Sequence, residues 1–197
     1  MRRVAVGISG ASGAIYGIRF LELLRGLPGV ESHLIVSAAA KRTIVEETDY
    51  AVRDVEALAT CRYSNKDIGA ALASGSFKTG GMVVVPCSIK TAAAIAHCLA
   101  DTLIARAADV TLKEGRPLIL VVRETPLHLG HLRVLTALAE MGAVLLPPMP
   151  AFYNRPKQID DLVTHTLARV LDRLGLPQTL VPEWQGMAAR PLPPERG

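Results

Sequence analysis

The stretch VAVGISGASGAIYGIRFLELL, residues 4–24, decides the fold class. Its first five residues are apolar or small and β-branched in alternation, which predicts a buried strand. Glycines at 7, 10 and 13 follow, and then Ile15, Ile18, Leu21 and Leu24 recur at helical spacing. A strand, a glycine-rich turn and an amphipathic helix open many nucleotide-binding folds. The glycine spacing is not that of a dinucleotide fingerprint. Such a fingerprint also needs an acid at the end of the second strand, to hold ribose hydroxyls. The second strand here, Val30–Ser37, ends in Ser37, and its acid Glu31 stands at the opposite edge. NAD is therefore disfavoured. The turn suits a mononucleotide phosphate at a helix N-terminus, and an empty structural turn is an equally open reading.

Outward from this unit the pattern repeats. AAAKRTIVEET predicts a helix ending near Thr48, and DVEALA a short one, before a loop through ASGSFKTGG. Met82–Pro86 is all apolar, which predicts a third strand buried on both faces. SIKTAAAIAHCLA and DTLIARAADVTLK predict helices, Arg116–Glu124 a fourth strand, and HLRVLTALAEMG a helix closed by Gly142. AVLLPPMP predicts a fifth strand. KQIDDLVTHTLARVLDRLG predicts the last long helix, with Ile159, Leu162, Val163, Leu167, Val170, Leu171 and Leu174 on its core face. Alternating strands and helices specify an α/β three-layer sandwich around a parallel sheet. Its ligand belongs beyond the carboxyl ends of the strands. Those ends read Ser9-Gly10-Ala11-Ser12, Ser37, Pro86-Cys87-Ser88, Arg123-Glu124 and PAFYNRP. PCSIKT repeats the strand-turn-helix logic, with Ser88 as a good N-cap.

The totals exclude several classes. The chain has 197 residues, a net charge of +4, half of its residues hydrophobic and a mean hydropathy of +0.29. One domain is expected over residues 1–186, with residues 187–197 as an extended proline-rich tail. No apolar run spans a bilayer, and Arg2 and Arg3 lead straight into the first strand without a cleavage pattern. The expected location is the cytoplasm. Aromatics at 4% leave no stacking platform for nucleic acid. Cys61, Cys87 and Cys98 have no metal spacing, and the five histidines read as structural. So apolar a chain of this length has limited interior, so an oligomer is expected.

GASGA, ASGSF, MVVVPCSIKT, RAADVTLKEGRPLILVVRETPL, PPMPAFYNRP and VPEWQG, in this order between residues 3 and 186, resemble the UbiX-type flavin prenyltransferases. That group includes small subunits associated with phenolic-acid decarboxylases. The resemblance implies a flavodoxin-like Rossmann sandwich. It implies a metal-independent enzyme that moves a dimethylallyl group from its monophosphate to reduced FMN. The group bonds to the central-ring nitrogen and the neighbouring benzenoid carbon. Prenylated FMN then serves UbiD-type decarboxylases. A dodecamer built of trimers, with sites at subunit interfaces, is implied as well.

Carried over position by position, Gly10, Ala11 and Ser12 match the flavin-contacting turn, and Ser37 the contact at the second strand end. Ser88, Ile89, Lys90 and Thr91 match the segment around the FMN phosphate, and Arg123 a flavin and phosphate contact. Glu124, Ser12, Glu47 and Trp184 fall on catalytic positions. Tyr153, Arg169, Lys113 and Arg106 fall on positions of the dimethylallyl-phosphate pocket. Two phosphate monoesters, each near −2, need several cations, and the arginine fork suits them. An acid such as Glu124 assists phosphate departure, and aromatic faces stabilise an allyl cation. Each residue has a plainer alternative. Arg106 and Arg169 lie on helices, where solvated arginines are common. Lys113 precedes a turn, and Tyr153 and Trp184 suit interface packing. Glu47 closes a helix at its unfavourable end for a carboxylate, which points to a role.

GHLRVLTAL, with Arg133 and Val134, and TGGM depart from the family pattern without touching these positions. Flavin-dependent cysteine decarboxylases share the fold, yet Ile89-Lys90 stands where they carry Ala-Asn. A non-catalytic flavin carrier of a decarboxylase complex is the remaining alternative. The client pathway, ubiquinone synthesis or phenolic-acid degradation, is not legible.

Overall fold

The structure is a computed structural model that describes residues 1–183 and 186. Six parallel strands form one sheet in the order β3-β2-β1-β4-β5-β6. The strands are β1 (Arg2–Ile8), β2 (Val30–Val36), β3 (Cys61–Ser64), β4 (Met82–Cys87), β5 (Leu118–Val122) and β6 (Val144–Leu145). Helices α1 (Ala14–Gly26), α2 (Ala38–Glu47), α3 (Val52–Glu56) and α7 (Ile159–Arg173) cover one face. Helices α4 (Ile89–Ala96), α5 (Leu103–Lys113) and α6 (Leu129–Glu140) cover the other. This is the expected three-layer sandwich. Alternate residues of each strand feed the two cores: Val4, Val6 and Ile8 pack under α1 and α7, and Ala5 packs under α5. Strand order reverses between β1 and β4, so the crevice for a ligand opens at their carboxyl ends.

Two strand expectations need correction. Strand β3 was not foreseen: four residues with half-exposed alternation, Cys-Arg-Tyr-Ser, give no buried run to detect. The last strand is two residues rather than eight, because Pro147, Pro148 and Pro150 cannot donate to a ladder. The helix after β4 also stops early. Cys98 takes a left-handed φ of 53°, its N–H bonds Ile95 and that of Leu99 bonds Ala94, which closes a Schellman turn without glycine. Gly142 ends α6 as expected, in the same kind of turn. On α7, Val163, Leu167, Val170 and Leu171 are buried, but Ile159 is 79% exposed. It is the first helical residue and overhangs the core. Among the described residues no helix is long and apolar enough to cross a membrane.

Candidate active site

The first glycine turn is shaped by contact. A Cβ on Gly10 would stand 2.3 Å from the Ala39 Cβ, so only glycine lets α2 start this close to the end of β1. Ser9, which follows β1 and is almost fully buried, ties the two central strand ends together. Its N–H and Oγ both reach the Pro86 carbonyl at 3.1 Å, and its Oγ accepts the Ser88 N–H at 2.7 Å.

The sequence leaves a phosphate and a purely structural role equally open for this turn, and the helix start it opens is capped from within the chain. The Glu47 carboxylate accepts the N–H groups of Gly13 at 2.8 Å and Ala14 at 3.0 Å. The N-terminus of α1 is thus filled by an anion from the end of α2. The same contact explains the misplaced charge: Glu47 leaves the negative end of its own helix for the positive end of another. Desolvation pushes its pKa up. Hydrogen bonds from Ser12, Gly13 and Ala14 and the charge of Arg123 outweigh it, so Glu47 sits below the ordinary carboxylate range. Ser12, Glu47 and Arg123 therefore form one group at the rim of the crevice.

The phosphate-compatible donors lie next door. A cavity of about 1170 Å³ is lined by Gly10, Ser37, Ser88, Ile89, Lys90, Thr91 and Glu124 of the expected set. Three helix N-termini converge on it. Ser37 caps α2 by accepting from Ala40 at 3.0 Å, and Ser88 caps α4 by accepting from Thr91 at 3.3 Å. Thr102 caps α5 by accepting from Ala105 at 3.4 Å, while Asn65 Oδ1 accepts from Ile104. Aligned dipoles and first-turn N–H groups favour an anion here. Lys41, Arg62, Lys66 and Lys90 line the same cavity, with Lys41 held by Glu56 at 2.7 Å. Glu124 is half-buried and its Oε1 accepts its neighbour's N–H, from Thr125, at 3.2 Å.

Arg62, Tyr63, Ser64, Asn65, Lys66 and Thr102 were missed by sequence reasoning. Five of them lie in or just after the unforeseen β3, and the turn SNKDIG was the available signal. Behind this wall, His33 is buried and its Nδ1 lies 2.9 Å from the Tyr63 hydroxyl. Cys87 is fully buried, which pushes its thiol up to about 12 and leaves it unreactive.

Tyr153 and Arg169 belong to a second cavity, of about 930 Å³, with His165, Asp172, Gln178, Thr179 and Glu183. The Tyr153 oxygen is 2.8 Å from His165 Nε2, and Arg169 pairs with Asp172 at 2.9 Å. The two cavities share no lining residue.

Arg106 and Lys113 line neither of these two cavities. Arg106 pairs with Asp109 at 2.8 Å and donates to the Ala73 carbonyl. Lys113, paired with Glu114, ends α5, whose first turn faces the large cavity. Ten residues of helix carry it about 15 Å away, toward the opposite edge of the sheet. Trp184 lies outside the described residues.

A family model described as Flavoprotein matches residues 1–171. The chain is 56% identical over 188 residues to the flavin prenyltransferase UbiX of Escherichia coli K12, covering 94% of this chain and all of that one. It is 54% identical over 194 residues to that of Thauera aromatica, covering 98% and 100%. The crystal structure of AnUbiX in complex with FMN and dimethylallyl pyrophosphate superposes with a TM-score of 0.92 at 46% identity, over 95% of this chain and 99% of that one. A fold with its crevice at the β1/β4 switch point, hydroxyl-capped helix ends around it and this level of identity over the full length together show that the chain belongs to the UbiX flavin prenyltransferase family.

Proposed function

We propose that the chain joins a dimethylallyl group from dimethylallyl monophosphate to reduced FMN, within a single functional unit spanning residues 1–186. The observation that carries this is the division of labour between two cavities. The large one offers three helix N-termini and lysines to a nucleotide phosphate. The other offers Tyr153 and Arg169 to a second phosphate. Like charges must be held apart, and separate elements hold them here.

Reduced FMN supplies the nucleophilic ring atoms. Ser37, Ser88, Thr91 and Lys90 hold its phosphate end, and Gly10 and Ala11 let backbone approach it closely. Arg123 beside the Ser12–Glu47 pair supplies positive charge at the rim, where leaving phosphate gathers charge. Glu124 is the proton source for that phosphate. The resemblance assigns the allyl group to the flavin ring and Trp184, and its phosphate to Tyr153 and Arg169.

The relative from Escherichia coli O157:H7 is dodecameric. A homo-oligomer of this chain would bring the Tyr153 cavity of one subunit against the FMN cavity of another and complete the site. Exposed apolar side chains support this reading: Leu129 is 61% exposed, Leu132 48% and Phe152 72%. The product serves a UbiD-type decarboxylase, and the setting is the cytoplasm.

The test is anaerobic incubation of the purified protein with reduced FMN and dimethylallyl monophosphate, followed by absorption and mass analysis of the extracted flavin. A flavin heavier by one dimethylallyl group is expected. Recovery of unmodified FMN alone would overturn the reading and favour a flavin carrier.

A further inference from the structure

The inference rests on the assignment of Arg169 to the phosphate of the allyl donor. Arg169 lies on α7, and its Nη1 donates to Asp172 Oδ2 at 2.9 Å. Alone this is an exposed pair three residues apart on a helix, a kind that adds little to stability. The second oxygen of the carboxylate sets it apart. Asp172 Oδ1 accepts from Gln178 Nε2 at 3.1 Å, and Gln178 Oε1 accepts the N–H groups of Leu180 at 2.9 Å and Val181 at 3.4 Å. An unbroken chain of hydrogen bonds therefore runs from the segment after α7, through Gln178 and Asp172, to the guanidinium. Arg169, Asp172, Gln178 and Val181 line one cavity.

This chain of bonds has a direction, and the direction specifies its residues. Two backbone N–H groups hold the amide oxygen of Gln178, so its NH2 faces the other way and needs an acceptor. Arg169 likewise brings only donors. A group between them must accept on both sides. An ionised carboxylate does so with its two oxygens, whereas an asparagine would set an NH2 against one of the two donors.

The fold does not need this tie. After α7 the chain is reversed by Gly175, at a left-handed φ of 62°, with the Gly175 N–H bonded to the Asp172 carbonyl and the Leu176 N–H to that of Leu171, both at 3.0 Å. Leu176 is buried in the core with α1 and α7, so the segment is anchored two residues before Gln178. What the tie adds is order at the guanidinium. One of its N–H groups is spent on Asp172, and among the described residues the others meet no acceptor. We propose that Asp172 and Gln178 are positioning residues for the allyl donor: they hold the Arg169 guanidinium in place before the donor arrives, with its remaining N–H groups left for the phosphate. An arginine that is not held has to be ordered by the ligand, at a cost in affinity.

The experiment uses the FMN-loaded, reduced protein with Gln178→Leu, Asp172→Asn and Arg169→Ala, and with each of the first two combined with Arg169→Ala. Donor KM and kcat, FMN affinity, Tm and the calorimetric Kd of inorganic phosphate are measured. Gln178→Leu leaves both charges in place and is expected to raise donor KM and phosphate Kd about two- to five-fold. Asp172→Asn is expected to raise them about three- to ten-fold, although it removes a negative charge from beside the phosphate. The values of kcat, FMN affinity and Tm stay near the wild type, which a general loosening of the segment would not allow. In the Arg169→Ala background neither substitution raises KM or Kd further, because both act through that guanidinium. A fall in KM or Kd in Asp172→Asn would make the carboxylate a competitor of the phosphate and overturn the proposal, as would equal losses with and without Arg169. Unchanged KM and Kd in Arg169→Ala alone would overturn the proposal together with the donor assignment of Arg169. A phosphate Kd that depends on all three residues, in a protein that yields no prenylated flavin, would uphold the tie and sink the transferase reading.

Discussion

Replacing Glu47 with Ala should cost the protein stability before it costs any chemistry. The carboxylate accepts two backbone N–H groups at the start of α1, 2.8 and 3.0 Å away, and a hydrogen bond from Ser12. It is a cap supplied from a distance, and losing an N-cap costs about 0.5–2 kcal/mol. The group is exposed at the rim, which argues for the middle of that range, about 1 kcal/mol. In a chain of this length each kcal/mol moves Tm by roughly 2–4 °C. A fall of that size is expected for Glu47→Ala in thermal unfolding at fixed protomer concentration without added ligand. Glu47→Gln, which keeps an oxygen acceptor, should fall by less. The pH dependence has a definite sign. The folded-state pKa is depressed, so the stabilisation is complete above the unfolded carboxylate's value. It is lost as pH falls through the folded one. Wild type and Glu47→Gln should therefore differ most at neutral pH and converge in acid, below the usual carboxylate range. A Glu47→Ala protein that melts with the wild type at pH 7 yet fails in prenyl transfer would refute the capping argument and leave Glu47 a chemical role only.

Four further outcomes are expected. Glu124→Gln retains FMN but loses most prenyl transfer in single turnovers with reduced FMN, and an unchanged rate would show that another group supplies the proton. Arg169→Ala weakens the allyl donor by about 1.5–3 kcal/mol, ten- to a hundred-fold, and Tyr153→Phe by about 1 kcal/mol, while FMN titrations stay near the wild type. Arg106→Ala and Lys113→Ala leave donor KM unchanged and shift stability by less than about 1 kcal/mol, since each loses a surface pair; a raised KM in either would mean that a neighbouring subunit carries it into the site. Gly10→Ala, which puts a methyl 2.3 Å from the Ala39 Cβ, forces α2 away from β1 and is expected to abolish FMN binding in equilibrium titration.

Much of this architecture is legible in the chain because buried parallel strands write themselves as apolar runs. Met82–Cys87 and Leu118–Val122 are buried throughout and were found. Cys61–Ser64 was not, since an edge strand covered on one side needs no such run. The site was legible where a residue both ends a strand and starts a helix, as Ser37 and Ser88 do. One chain alone does not bring Lys113 to the cavity: it has the right charge for a phosphate, but its helix carries it toward the opposite edge of its own sheet. Glu47 was singled out for being in an unfavourable place. Sequence could not show that the remedy was the start of α1, because that contact joins residues 34 apart. His165 gave no signal at all.

Ser9 has a consequence for turnover. A catalyst whose product is a flavin has to part with it. If the flavin were what kept the tips of β1 and β4 in place, each departure would loosen the crevice and each arrival would have to rebuild it. Ser9 does that job from inside the chain, with the Pro86 carbonyl and the Ser88 N–H already joined through a buried hydroxyl. A crevice tied in this way needs little of the binding energy to order the protein.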